Sequence, residues 1–194
     1  MDTKIFTGSV TILGSIGLVV SVLGLFFVVF IVWATKLFNK LIKLRALKEE
    51  GWSGVLTTLK RRRDLIPIIL KTAESYVVTP ESETLRNITR AYAQEQAARG
   101  VAETARAEAG MTAALVGFGA IMQSNSDLKA DTSMVQILED LSKLQERIEL
   151  TRHYYNATVR DYNMEMGQFP ASLIFGLLNF RRAILFETHE LPQE

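Results

Sequence analysis

From Gly8 to Trp33 the chain reads GSVTILGSIGLVVSVLGLFFVVFIVW, without one charged side chain. An apolar run of about 18 residues or more has a stable home as a helix across a bilayer. There a single helix pairs every backbone N–H and C=O internally. At about 1.5 Å per residue the run reaches roughly 38 Å, enough to cross a hydrocarbon core of about 30 Å with some tilt. Residues 1–7 then form a short tail and residues 8–33 a transmembrane helix. A cleaved signal peptide has a shorter apolar core, a basic start and a small-residue cleavage site. This run instead ends in Phe30-Ile31-Val32-Trp33. Trp33 suits the interfacial aromatic belt, with Lys36, Lys40 and Lys43 at or beyond the headgroups. Gly14, Gly17, Ser21 and Gly24 fall near one helical face, and Gly17-xxx-Ser21 is a small-xxx-small pair that favours close helix approach.

Beyond the span the apolar period stays helical. Leu37, Leu41, Leu44 and Leu47 recur at threes and fours, as do Val55, Leu59, Leu65, Ile66, Ile69 and Leu70. This predicts one helix over 34–76, weakened where Gly51 and Gly54 bracket Trp52 and kinked at Pro67. Thr79-Pro80 reads as an N-cap with proline at the first helical position, and predicts a second helix over 80–122 with an alanine-rich middle. Gln123 to Asp127 reads as a loop. A third helix starts near Asp131, with Thr132 and Ser133 as alternative caps, and runs to about Met166. Its seam is Met134, Leu138, Leu141, Gln145, Ile148, Arg152, Tyr155, Val159, Tyr162 and Met166. Gly167 and Pro170 end it. Ala171 to Phe186 predicts a short fourth helix that caps the bundle or lies on the bilayer. No strand pattern occurs. The expected fold is therefore all-α: one N-terminal transmembrane helix continuing into a long antiparallel helical bundle over 34–187. Three long helices and a short C-terminal helix make up the bundle, and residues 188–194 form a flexible tail.

Charge changes the picture in one respect. The formal net charge is +1, so no global field recruits nucleic acid. Yet nine Lys or Arg stand against Glu49 and Glu50 between Lys36 and Arg63, while twelve stand against eighteen acids from Asp64 onward. Basic residues near a span usually stay cytoplasmic, which predicts the N-terminus outside and the bundle in the cytoplasm. The same block would attract anionic lipid. There is no cysteine, so disulfides and thiolate chemistry are excluded.

Candidate chemistry is sparse. His153 and His189 have no acidic cluster in sequence and make a poor metal site. Gly117-Phe118-Gly119 lacks the rest of a phosphate loop, and no serine sits in a G-x-S-x-G elbow. No cofactor, metal or catalytic set is predicted. Two features stand out. Lys60-Arg61-Arg62-Arg63-Asp64 wraps around a helix, so its charges cannot share one partner. They suit lipid headgroups, an adjacent subunit, or a solvated face with one intramolecular pair. Tyr155-Asn156 and Tyr162-Asn163 repeat seven residues apart on one face, together with Gln145 and Arg152. Such groups would fix helix register, or line a polar ligand slot.

With these blocks laid out, the chain resembles the LemA family. The resemblance rests on Phe38-Asn39-xx-Ile42, Trp52-Ser53, the run Leu59 to Pro67, and Asp127-Leu128-Lys129-Ala130. It continues through Arg147-Ile148-xxx-Arg152-xx-Tyr155-Asn156-xx-Val159-xx-Tyr162-Asn163 to Phe169-Pro170. Phe38, Ile68 and Gln145 stand where the family tends to have Tyr, Asn and Glu, and Asn125-Ser126 where it has Tyr-Pro. The resemblance implies a bacterial membrane protein with one N-terminal anchor and a helical-bundle domain, and suggests a role in membrane organisation; because many members are basic before the span, it also implies a periplasmic bundle as the alternative to the cytoplasmic one. It supplies no activity. Together these readings predict a non-enzymatic scaffold that self-assembles into a large homo-oligomer on the inner membrane and organises or remodels it. A membrane-tethered adaptor that recruits a partner enzyme or signalling protein is the alternative.

Overall fold

The computed structural model describes residues 2–76, 83–169, 172 and 180–187. The chain divides into two compact units, residues 1–43 and 44–194. Among the described residues there are five helices and no strand: α1 (Asp2–Tyr76), α2 (Glu83–Ala97), α3 (Gly100–Ser124), α4 (Ser126–Ala130) and α5 (Thr132–Gly167). The fold is all-α.

The first unit is the N-terminal part of α1. Every large apolar side chain described between Leu18 and Val32 is 47–71% exposed. Its helix is long and apolar enough to cross a membrane. Burying that many aliphatic and aromatic groups needs an apolar surrounding that the unit itself does not supply.

In the second unit, four helix segments assemble into an antiparallel bundle. The remainder of α1 runs against α5. Gly51 opposes Tyr155, Gly54 opposes Thr151, and the Tyr76 hydroxyl donates to Asp131. Helices α2 and α3 form a hairpin in which Gly110 lies beside Gln94 and Gly117 beside Thr84. The single helix expected over 34–76 runs on through Gly51 and Pro67. Gly51 has a packing role. A Cβ there would sit 3.2 Å from the Tyr155 Cα, so glycine lets α5 approach the α1 backbone.

Two apolar cores hold the bundle. One gathers Ile66, Ile69, Leu85, Ile88, Met111, Phe118, Leu128 and Met134. The other gathers Val55, Leu59, Ala105, Ile148, Tyr155, Val159 and Phe186. On α1 the buried stripe runs Val55, Leu59, Arg62, Ile66, Ile69, Ala73, in steps of four and three. Arg62 therefore falls between the two cores.

Three expectations need correction. The helix predicted over 80–122 is two helices, because Ala98 and Arg99 leave helical geometry and Gly100 takes a φ of +69°. Only glycine adopts that conformation at little cost. The reversal is secured locally: Arg99 Nη1 donates to the carbonyls of Gln96, Ala97 and Ala98, and the Arg99 N–H donates to the Glu103 carboxylate. The bundle therefore has four long segments rather than three. Second, the loop expected at 123–127 narrows to Asn125, whose side chain accepts from the N–H groups of Asp127 and Leu128 and so caps α4. Third, within the short helix expected over 171–186, residues 180–186 are not helical. The expected start of α5 is correct. Asp131 caps it, its carboxylate accepting from the N–H groups of Ser133 and Met134. The Thr79-Pro80 cap and the 188–194 tail lie outside the described residues.

Candidate functional site

Two polar assemblies in the second unit gather seven of the residues singled out in the sequence: Arg62 and Gln145 in one, and Trp52, Tyr155, Asn156, Tyr162 and Asn163 in the other. The first is a layer between the two cores, to which all four bundle segments contribute. Arg62 from α1 is 1% exposed. Its Nη2 donates to Glu95 of α2 at 2.7 Å. Its Nη1 donates to Glu108 of α3 at 3.3 Å, to Thr112 of α3 at 3.0 Å and to Gln145 of α5 at 3.2 Å. Thr112 in turn donates to Glu108. One guanidinium thus holds two carboxylates and an amide in the dry centre. Among the described residues Arg62 Nε and Glu95 Oε2 have no hydrogen-bond partner. Burial raises the Glu95 carboxyl above its usual range, and Arg62 pulls it back only in part. A charge withdrawn from water in this way is tolerable only when paired and hydrogen-bonded. A slip of one helix past another would strand the guanidinium among aliphatics.

The second assembly explains the Tyr-Asn repeat. Asn156 Nδ2 donates to the Phe186 carbonyl at 3.0 Å, while the Phe186 N–H donates to Asn156 Oδ1 at 2.8 Å. Asn163 makes the same pair of bonds to Ala183, both at 2.8 Å. Seven helical residues span about 10.5 Å, close to the roughly 10 Å that three residues of extended chain cover. The two amides on α5 therefore match successive backbone groups of an extended segment running antiparallel to the helix. The Tyr155 hydroxyl donates to the Ile184 carbonyl between them, at 2.8 Å. Trp52 closes the clasp, its ring centroid 5.4 Å from Tyr155 and 6.1 Å from Phe186. Burial raises the Tyr155 and Tyr162 phenols above their usual values. Lys48 Nζ lies 5.0 Å from the centre of the Tyr162 ring. The face read as a register element, or alternatively a ligand slot, bonds to the chain's own residues 183–186.

The remaining predicted residues are not drawn into either assembly. Lys60, Arg61 and Asp64 are exposed, and half-buried Arg63 donates to the Glu95 carbonyl. Arg152 pairs with Glu149 on its own helix. Lys36, Lys40 and Lys43 are exposed. Trp33 is half-buried, its ring 5.9 Å from that of Phe30. Ser21 donates to the Gly17 carbonyl at 2.9 Å, and nothing lies within 4 Å of a Cβ built at Gly17.

Glu95, Glu108 and Thr112 escape the sequence reading, although a signal for them exists. Glu95 continues the Leu85, Ile88, Ala91 stripe, and Glu108 continues Ala105 toward Met111 and Thr112. A carboxylate in the phase of a buried stripe asks for a buried cation. Among the described residues no group of His, Asp or Glu is arranged to hold a metal ion.

The LemA family model matches residues 51–194, which include both assemblies. A search of the curated proteins found no match. The chain belongs to the LemA family, which is not a known enzyme family.

Proposed function

We propose that this LemA family protein is a membrane-anchored, non-enzymatic helical scaffold that self-assembles on the bacterial inner membrane and organises it. The observation that carries the reading is the exposed apolar surface from Leu18 to Val32 on α1. A surface of that extent is stable in lipid and a liability in water. Two further features support it. The buried ionisable groups of the polar layer are engaged with one another, and the Tyr-Asn clasp is engaged with the backbone of 183–186. The small residues Gly17, Ser21 and Gly24 recur at helical spacing on the span, a pattern that suits close approach of a second helix. Confinement to a surface raises effective concentration, so weak lateral contacts suffice to build an assembly. The charge asymmetry supports a cytoplasmic bundle, with the block from Lys36 to Lys48 suited to anionic lipid.

Purification of the full chain in mild detergent, followed by light scattering and electron microscopy, tests the reading. A homogeneous particle of many copies of this chain alone is the expected result. A small oligomer that co-purifies with another protein in fixed proportion would replace the scaffold by an adaptor.

A further inference from the structure

The basic run at 60–63 is not exhausted by the polar layer. Arg61 is exposed, and its side chain has no hydrogen bond or ion pair among the described residues; the same holds for Arg147 on α5. The two guanidinium groups come from facing helices and line one cleft of about 480 Å³ between α1 and α5. Both also line the adjoining cleft with Asp140 and Lys143. They therefore stand where the two clefts meet. Two cations on one groove repel, and an anion between them converts that repulsion into attraction. Among the described residues neither Glu50 nor Asp140 forms an ion pair with either arginine, and Asp140 lies 3.9 Å from Lys143.

The walls narrow the ligand further. The first cleft is rich in hydroxyls, including Ser53, Thr57, Thr58, Thr151 and Tyr154. Thr57 donates to the Ser53 carbonyl at 2.8 Å, Thr58 to the Gly54 carbonyl at 2.9 Å, and Thr151 to the Arg147 carbonyl at 3.0 Å. Their protons are engaged with backbone, so what they retain for a ligand is acceptor capacity. A single guanidinium fork serves one carboxylate, whereas two forks from opposite walls suit the several oxygens of a phosphate group. Acceptors along the wall suit hydroxyls on the rest of the molecule.

We propose that this cleft binds a phosphate ester bearing free hydroxyl groups, of the size of glycerol phosphate or a sugar phosphate. Its phosphate lies between Arg61 and Arg147, and its hydroxyls donate to Thr57 and Thr151. The ester is either a soluble metabolite or the headgroup of a phosphoglycerol lipid.

The test is calorimetric titration of the full chain in phosphatidylcholine nanodiscs with glycerol 3-phosphate, inorganic phosphate and glycerol. Glycerol 3-phosphate binds, inorganic phosphate binds more weakly, and glycerol does not bind. Arg61→Gln and Arg147→Gln each weaken binding about tenfold or more, with Arg→Lys at the same sites in between. Thr57→Val removes the advantage of glycerol 3-phosphate over inorganic phosphate, and Lys71→Gln changes nothing. Repeating the titration in nanodiscs containing phosphatidylglycerol separates the sources. Loss of apparent affinity there identifies the lipid headgroup, and unchanged affinity the soluble ester. Absence of saturable binding up to roughly 10 mM, or binding indifferent to both glutamine variants, overturns the proposal. Both arginines are exposed, so an unchanged far-UV spectrum and melting temperature establish that each variant is folded.

Discussion

At the scale of single residues, the account turns on one guanidinium. Arg62→Ala leaves Glu95 and Glu108 buried without their cation, which costs about 3–5 kcal/mol. Chemical denaturation of the purified bundle should register that loss, and a cost below about 1 kcal/mol would contradict the layer as a constraint on helix register. Glu95→Gln acts differently. Because burial raises the Glu95 carboxyl, the folded state holds that proton more tightly than the unfolded chain. Its stabilising contribution is present below the unfolded value and is lost as pH climbs through the folded one. A Glu95→Gln variant should therefore lose less stability than the parent between mildly acidic and neutral pH. Asp131 has the opposite sign. The Tyr76 hydroxyl, followed by the backbone N–H groups of Met134 and Ser133, holds its carboxyl below the usual range. Its contribution is present above the unfolded value and disappears as pH falls through the folded one. Melting curves below pH ~4 should lose this component in the parent and show no such loss in Asp131→Ala.

At the scale of elements, the clasp is the most testable feature. Phe186 is buried against Trp52. In a Trp33→Phe background, Trp52 is the sole tryptophan and reports directly on the segment. Phe186→Ala should shift its emission to the red and cost about 3–5 kcal/mol. Replacing both Asn156 and Asn163 by Ala should speed hydrogen exchange at the Ala183 and Phe186 amides, with α1 and α2 unaffected. Equal exchange in parent and double variant would contradict the clasp. These elements also mark how far the sequence was legible. The helix over 34–76, the α5 seam and the Asp131 cap follow from spacing and cap chemistry. The turn at Ala98–Gly100 did not, because alanine-rich flanks on both sides read as one continuous helix and outweigh a single glycine. The extended segment did not either. Ala171 to Phe186 shows no visible period, and the backbone groups of Ala183 and Phe186 are held by two side-chain amides on a distant helix. The Tyr-Asn repeat was conspicuous as a polar pair on a bundle face, but only the fold reveals that its partner is backbone. Likewise, four consecutive basic residues conceal which one is buried until the phase of Val55, Leu59 and Ile66 is carried through to Arg62.

At the scale of the whole molecule, the chain separates physical tasks along its length. An uncharged helical run carries the apolar exposure, and a four-segment bundle encloses a charged centre. The buried carboxylates of the bundle meet a buried cation within it, whereas the apolar side chains from Leu18 to Val32 find no cover among the described residues. Extraction of membranes with alkaline carbonate should leave the full chain in the pellet and release a version lacking residues 1–43. Membership of the LemA family and the exposed apolar helix agree with membrane association. Assembly on that membrane is the further claim, and it rests on surface confinement and the small-residue spacing of Gly17 and Ser21.

Counting photobleaching steps of the fluorescently labelled full chain, reconstituted sparsely into vesicles, addresses that claim most directly. The account predicts spots with many steps each, reduced in number by Gly17→Leu with Ser21→Leu. Single-step spots throughout, at densities where the chain is fully membrane-embedded, would contradict it.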